Sequence, residues 1–263
     1  MRAGYNAARR NRNIGTAKQG HGQDNEMFIP QSWHTDRLAQ ETIGQFKKVE
    51  KDLGGRTLTF FIEENSGGCE HFCSVSDVFE IFKNIPFADW AGLETVVFRQ
   101  PSRKQRILNP VWGRMYYFAQ IGQKVGRHMT EGPAILLEAM PKYSKIVWST
   151  SLDPDKAEEL QRLEEDGHIL ERVGKKHIIQ TNPNAIRHTQ LFRTVIHEVG
   201  HWVDYLEKVE RPGDQGTEPF DVLEDRYFSR PKQEREAFAH RYADELGNKL
   251  KASGIIPFDR IED

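Results

Sequence analysis

The chain has 263 residues, carries 37 Lys and Arg against 39 Asp and Glu for a formal net charge of −2, and is 37% hydrophobic and 10% aromatic. That supply of apolar side chains suits one large domain or two modest ones and is too rich for a disordered polymer. The near-neutral balance argues against a surface wholly given to nucleic acid, and two cysteines are too few for a disulfide-built scaffold. No apolar run approaches the roughly 18–20 residues that span a bilayer.

Residues 1–26 read as a flexible basic arm. Arg2, Arg9, Arg10, Arg12 and Lys18 all precede the first acid, Asp24, amid Gly, Asn, Ala and Gln. Such a segment buries too little apolar surface to offset its ordering entropy. It is read first as a solvated tail, and its charge also leaves contact with an acidic partner or nucleic acid open.

Residues 27–263 are expected to form a single α+β domain. The pattern predicts a helix over about 35–52, stopped by Gly54-Gly55, then a strand at Thr57–Glu63 and a short helix at Val75–Asn84. Further strands are predicted at Leu93–Arg99, Val111–Ile121, Ala134–Ala139 and Lys145–Ser149, each a β-branched or aromatic run bounded by Gly, Pro or Asn. Asp153-Pro154 opens a helix that Gly167 closes, since aspartate caps the first turn and proline suits its first position. His168–Val173 and His177–Gln180 flank Gly174 as a hairpin. After Asn182-Pro183-Asn184 a helix is expected to about Lys208, then a loop rich in Gly, Pro and acids over 209–229, then a last helix over 231–250.

One motif carries most of the chemistry, His197-Glu198-Val199-Gly200-His201. Histidines four apart on a helix project from one face and have the spacing to hold one Zn²⁺, and a glutamate beside the first is placed to take a proton from an activated water. At about 100° per residue, His201 and Asp204 fall within about 40° of His197. Leu191, Phe192, Val195, Ile196, Val199, Trp202, Val203 and Leu206 occupy the opposite arc, and Glu198 sits at the boundary. Asp204 is read either as a carboxylate accepting a ligand histidine's free ring N–H or as a salt-bridge acid.

Two histidines need a third protein ligand. Asp204 and Glu207 stand where a metzincin-type extension would need glycine and histidine, so the third ligand is sought in the last helix, among Glu234, Glu236 and His240. Glu236 borders the apolar arc of Phe238, Ala239, Tyr242, Ala243 and Leu246, whereas Glu234 points some 160° away. Glu236 is the first choice and His240, one turn on, the second; His240 also suits a hydrogen bond to the transition state. Ala237 and Ala239 would let the two helices approach closely.

His197-Glu-Val-Gly-His201 with Asp204, followed by Glu236-Ala-Phe-Ala239, resembles the gluzincin branch of zinc metallopeptidases. More narrowly it is similar to catalytic domains of the anthrax lethal factor type, with their HExxH…ExFA layout. The resemblance covers about residues 190–245. It implies a zincin-like fold: a mixed twisted sheet (27–180, the upper lobe) and a helical zinc-binding lobe (181–263), with one helix carrying HExxH and a second carrying the third ligand. It further implies Zn²⁺ held by His197, His201 and Glu236, hydrolysis of peptide bonds in a peptide or protein substrate with Glu198 as general base, and a tyrosine ahead of the third ligand that polarises the intermediate. Tyr227 is the nearest match for that tyrosine, with Tyr242 competing.

The substrate is expected to lie extended along His177–Gln180 as an edge strand, with the 209–229 loop shaping one side of the cleft. Rival readings are a narrow regulatory or toxin-like protease cutting one protein, and a non-catalytic nucleic-acid-associated protein with a structural zinc. The expected location is cytoplasmic, or outside the cell as an effector without a recognisable signal peptide; no membrane partner is expected, and the pattern leaves the oligomeric state open. A second cluster, Cys69-Glu-His71-Phe-Cys73, holds only three metal-type ligands and is read as free thiols with an incidental histidine.

Overall fold

The computed structural model describes residues 39–108, 110–123 and 128–263, so the basic arm predicted at 1–26 lies outside the described residues. The protein is α+β. Its main sheet has six strands: β1 (Ala39–Ile43), β2 (Phe46–Leu53), β3 (Arg56–Glu63), β5 (Thr95–Arg99), β6 (Gly113–Gln123) and β7 (His128–Glu138). They lie side by side in the order β1-β6-β7-β5-β3-β2. β3, β5 and β7 run parallel, whereas β2 and β6 run against them. The central strand β5 is buried along its whole length, which accounts for its unbroken Val96-Val97-Phe98 run. β4 (Cys69–Glu70) and β8 (Met140–Pro141) form a two-stranded ladder, and β9 (Lys145–Ser149), β10 (Ile169–Val173) and β11 (Lys176–Gln180) form a three-stranded sheet.

Alternation along the strands gives the main sheet two apolar faces. Leu58, Phe60, Val96, Phe98, Ile135 and Leu137 join the larger core cluster, while Phe61, Val97, Ala134 and Leu136 join a smaller one on the other side. The larger cluster is shared with α1 (Val75–Asn84) and with a long helical rod. Asn182 caps the start of that rod, accepting from the Ala185 amide at 3.0 Å. It continues through α4 (Pro183–His188), a π-helical segment (Thr189–Thr194), α5 (Val195–Tyr205), a second π-helical segment (Leu206–Glu210) and α6 (Arg211–Asp214), with helical dihedrals at each junction. Two further helices follow, α7 (Phe220–Ser229) and α8 (Lys232–Ala252); α2 (Arg103–Leu108) and α3 (Pro154–Glu165) complete the set.

Three predicted elements come out differently. The described part of the predicted 35–52 helix is two strands, β1 and β2. Gly54 and Gly55 both have positive φ, +61° and +85°, so they form the two-residue turn of the β2–β3 hairpin rather than a helix stop. The charges that favour helix here, Lys47, Lys48 and Glu50, lie along an edge strand, where lysine is a common guard against mispairing.

The predicted 209–229 loop is mostly helix, with only Gln215–Pro219 between α6 and α7. The wider π turn just before α6 admits Pro212, which cannot donate to a regular helical ladder. Gly213 then allows Phe220 to approach, since a Cβ there would meet its ring at 2.5 Å.

His177–Gln180 is not an edge. β11 is the middle strand of its sheet, bonded to β10 on one side and β9 on the other, so it has no free ladder for a substrate.

Candidate functional site

The motif histidines lie on α5, which packs against α8 at a very close crossing. A Cβ on Gly200 would stand 3.0 Å from both Ala239 Cα and Ala239 O and 3.1 Å from the Tyr242 ring. Glycine at the fourth motif position therefore faces the fully buried Ala239, while Ala237 is exposed and takes no part in the approach. Because Glu236 precedes Ala239 by one turn, the crossing brings its carboxylate to the two imidazoles. His197 Nε2 and His201 Nε2 each lie 3.4 Å from Glu236 Oε2. The two imidazole rings stand edge to face, with centroids 4.7 Å apart. Among the described residues this is the one set of three such side chains whose ligand atoms converge.

The cluster opens into a cleft of about 460 Å³, lined by the triad and Glu198, by Lys232 and Arg235 from α8, and by residues of β6 and its approach, including Val111, Arg114, Met115 and Tyr117. β7 pairs with β6 along one side, and on the other side β1 (Ala39–Ile43) pairs only with Ala119–Gln123, so among the described residues the first half of β6 has one open edge. A bulge between Tyr116 and Ala119 breaks the alternation there, and Tyr117 and Phe118 both turn toward the helical face.

Burial prevails at Glu198 and His197, and the charged neighbours prevail at His201 and Glu236. Burial pushes the Glu198 carboxyl up to about 7, with the neighbouring Glu236 charge adding and His201 and a hydrogen bond from the Met115 backbone opposing. The His197 imidazole is lowered to about 4, by burial first and then by the neighbouring His201 and His240 despite its bond to Glu236. Burial alone would lower His201 as well, but Glu236 and Glu198 outweigh it and its value is raised. The paired imidazoles hold Glu236 far below the ordinary carboxylate range. Both Nδ1 atoms are buried without a hydrogen-bond partner among the described residues.

The remaining predicted positions divide. His240 lies beside the cluster, its ring 4.4 Å from that of His197. Its Nδ1 meets Arg162 Nη1 at 3.1 Å, and since a guanidinium only donates, the ring proton sits on Nε2. Tyr227 is 1% exposed and outside the cleft wall; its hydroxyl meets that of Tyr117 at 3.0 Å, and Tyr117 is the tyrosine that faces the cleft. Tyr242 donates to Asp89 at 2.8 Å, away from the cluster.

Asp204 does not serve the histidines. It is fully buried and ion-paired with Lys208 and, at 3.0 Å, with Arg230. Glu234 is exposed and pairs with Arg230 at 3.3 Å. Cys69 and Cys73 are free; Cys69 Sγ faces Arg106 at 2.6 Å, whereas His71 Nε2 turns to Glu63 O at 2.9 Å, so no ligand set forms there. No residue of the 209–229 segment lines the cleft, whose opposite wall is β6; Tyr227 and Phe228 pack behind it.

Sequence reasoning missed Arg114, Met115 and Tyr117, which are remote in the chain and reach the site only through sheet packing. Lys232 and Arg235 were legible in principle, one turn and one residue before Glu236 on the same helix. No helix among the described residues is long and apolar enough to cross a membrane. Comparison of the chain with family models, with curated proteins and with solved structures found no match.

Proposed function

We propose that this chain is a zinc-dependent metallopeptidase of zincin type that hydrolyses peptide bonds. The observation that carries the reading is the convergence of His197, His201 and Glu236 beside a buried Glu198 in an open cleft. The donor set fits zinc: bonds of about 2.0–2.1 Å put tetrahedral ligand atoms about 3.3–3.4 Å apart, and both imidazole nitrogens stand 3.4 Å from the carboxylate oxygen. Two neutral nitrogens and one carboxylate leave a coordination position open, which suits a catalytic site better than a structural one. The layout of a motif helix against a mixed sheet, with the third ligand on a later helix, is what a zincin requires.

His197, His201 and Glu236 would hold the metal, and when bound it supplies Lewis acidity toward a water and a scissile carbonyl. Glu198 does the proton work. Burial places its affinity near neutrality, so it can take a proton from the attacking water and return it to the leaving amine. The half of β6 that has no β1 partner among the described residues lies along the cleft and would offer backbone groups to an extended peptide, the role the sequence had suggested for β11.

Metal analysis combined with unbiased peptide-library cleavage tests the reading. Wild-type protein should bind one zinc and cut peptides, and Glu198→Gln should keep the zinc and the fold while losing cleavage. Undiminished cleavage by Glu198→Gln would sink the mechanism, and absence of zinc binding would sink the site.

A further inference from the structure

Three cations line the cleft, and they differ in how they are engaged. Lys232 Nζ lies 3.5 Å from Glu236 Oε1 and Arg114 Nη2 lies 3.3 Å from Glu138 Oε1. Arg235 has no ion pair among the described residues; its Nε, like that of Arg114, is buried without a hydrogen-bond partner among them, so the missing ion pair is what sets Arg235 apart. Of the acids nearby, Glu236 is shared among His197, His201 and Lys232, Asp204 is taken by Lys208 and Arg230, and Glu198 accepts from the Met115 backbone.

The guanidinium is nonetheless held in place. Its central carbon lies 5.7 Å from the Tyr227 ring centroid and 5.5 Å from that of Phe228, so two aromatic rings of α7 flank it. Its charge is felt at His201 and at the Tyr117 hydroxyl, on either side of the cleft. A positioned guanidinium with spare N–H groups matches a carboxylate, which it can grip with two parallel hydrogen bonds.

We infer that Arg235 is the specificity-determining residue of this cleft and that the peptides it takes carry a carboxylate beside the histidine–glutamate cluster. That carboxylate is supplied by an acidic side chain or by a free C-terminus. For the reaction, the inference rests on the metallopeptidase reading; for binding, it stands without it.

The test is equilibrium binding, by fluorescence anisotropy, of labelled alanine-based hexapeptides to the full chain, zinc-free and zinc-loaded. One arm compares peptide amides bearing a single Glu at each position with their Gln counterparts, and the other compares the all-alanine peptide as free acid and as amide. In one arm the carboxylate form should bind roughly tenfold tighter or more, as charge-assisted hydrogen bonds allow, and the arm that responds identifies the source. Arg235→Gln should erase the preference, Arg235→Lys should keep part of it, and Arg235→Glu should shift it toward a lysine-bearing peptide. Because each variant is read as a ratio between matched peptides, a general loss of stability does not mimic the result. Equal binding of the matched forms, no binding of either, or a preference that survives Arg235→Gln would overturn the inference. Arg235-dependent carboxylate binding by a chain that takes up no zinc and cuts nothing would instead overturn the metallopeptidase reading alone.

Discussion

Two groups of buried ionisable side chains are arranged along the same helical rod, and they are completed differently. Near its start, Asp77 accepts from Arg187 Nε at 2.9 Å and Nη2 at 2.8 Å, from the Ile261 amide at 3.0 Å and from the Ser74 amide at 3.1 Å. Asp166 likewise accepts from His188 at 3.0 Å, Thr189 at 2.7 Å and Arg193 at 2.9 Å. These carboxylates are saturated with donors, and they tie α1, the turn after α3 and the C-terminal residues to the rod. Further along, His197 Nε2 and His201 Nε2 share one Glu236 carboxylate oxygen at 3.4 Å with no other donor among the described residues bonded to that oxygen, and the three side chains face a cleft. A saturated network acts as a strut, because any change strands a buried charge. An undersaturated set of converging lone pairs beside open space has capacity left for a ligand.

The comparison can be broken experimentally, starting with the largest expected effect. Glu198→Gln should reduce cleavage by about 100- to 10,000-fold, the range for loss of a general base, while the urea midpoint stays near that of wild type; a large loss of stability would place Glu198 with the struts. Arg187→Ala should do the reverse. It leaves the buried Asp77 without its countercharge, held only by the Ile261 and Ser74 amides, and we expect destabilisation of about 3–5 kcal/mol in urea unfolding, with zinc bound per folded molecule unchanged. A cost below about 1 kcal/mol would show that this pair is no strut.

Gly200→Ala tests the crossing that couples the two helices. The added methyl meets the Ala239 backbone at 3.0 Å, so overpacking of about 1–3 kcal/mol is expected. Zinc affinity should fall as well, since Glu236 moves with α8; unchanged affinity would mean the triad tolerates a shift of that helix.

The smallest effect is the pH dependence of stability. Burial alone would raise the Asp77 and Asp166 carboxyls, but Arg187 and the Ile261 and Ser74 amides outweigh it at Asp77, and His188, Arg193 and Thr189 at Asp166. Both values are lowered in the folded protein. Their stabilisation is therefore fully present above the unfolded carboxyl value of about 3.9 and is lost as pH falls through the lower folded values. Urea midpoints should decline below about pH 4, and the decline should be shallower in Arg187→Ala. A midpoint flat down to pH 2 would contradict the donor sets at both carboxylates.

Much of this arrangement was legible in the chain because it is local. The Asp153-Pro154 cap, the Gly174 turn and the Val75–Asn84 helix came out as the pattern predicts, each set by a few neighbouring residues. The His197–His201 spacing and the apolar arc behind it also follow from helical periodicity alone. The β1–β2 region misled because its charges favour helix in isolation, whereas pairing with β3 and β6 makes it strand. Tyr227 is the nearest tyrosine ahead of Glu236 in sequence, but Tyr117 lines the cleft and bonds to it, and no local signal reports which of two bonded tyrosines faces outward.

By itself, then, the sequence determined which face of α5 carries the histidines and which residues on α8 were able to join them, since both are matters of residue spacing along a helix. Tertiary structure decided the rest. The Gly200–Ala239 crossing brought Glu236 rather than His240 into the converging set at the imidazoles. Packing of the sheet made β6, with Arg114 and Tyr117, the opposite wall, and enclosed Asp204 between two cations. The physical reason is the same in each case: periodicity orients a side chain around its own axis, but only the packing of a second element decides what that side chain meets.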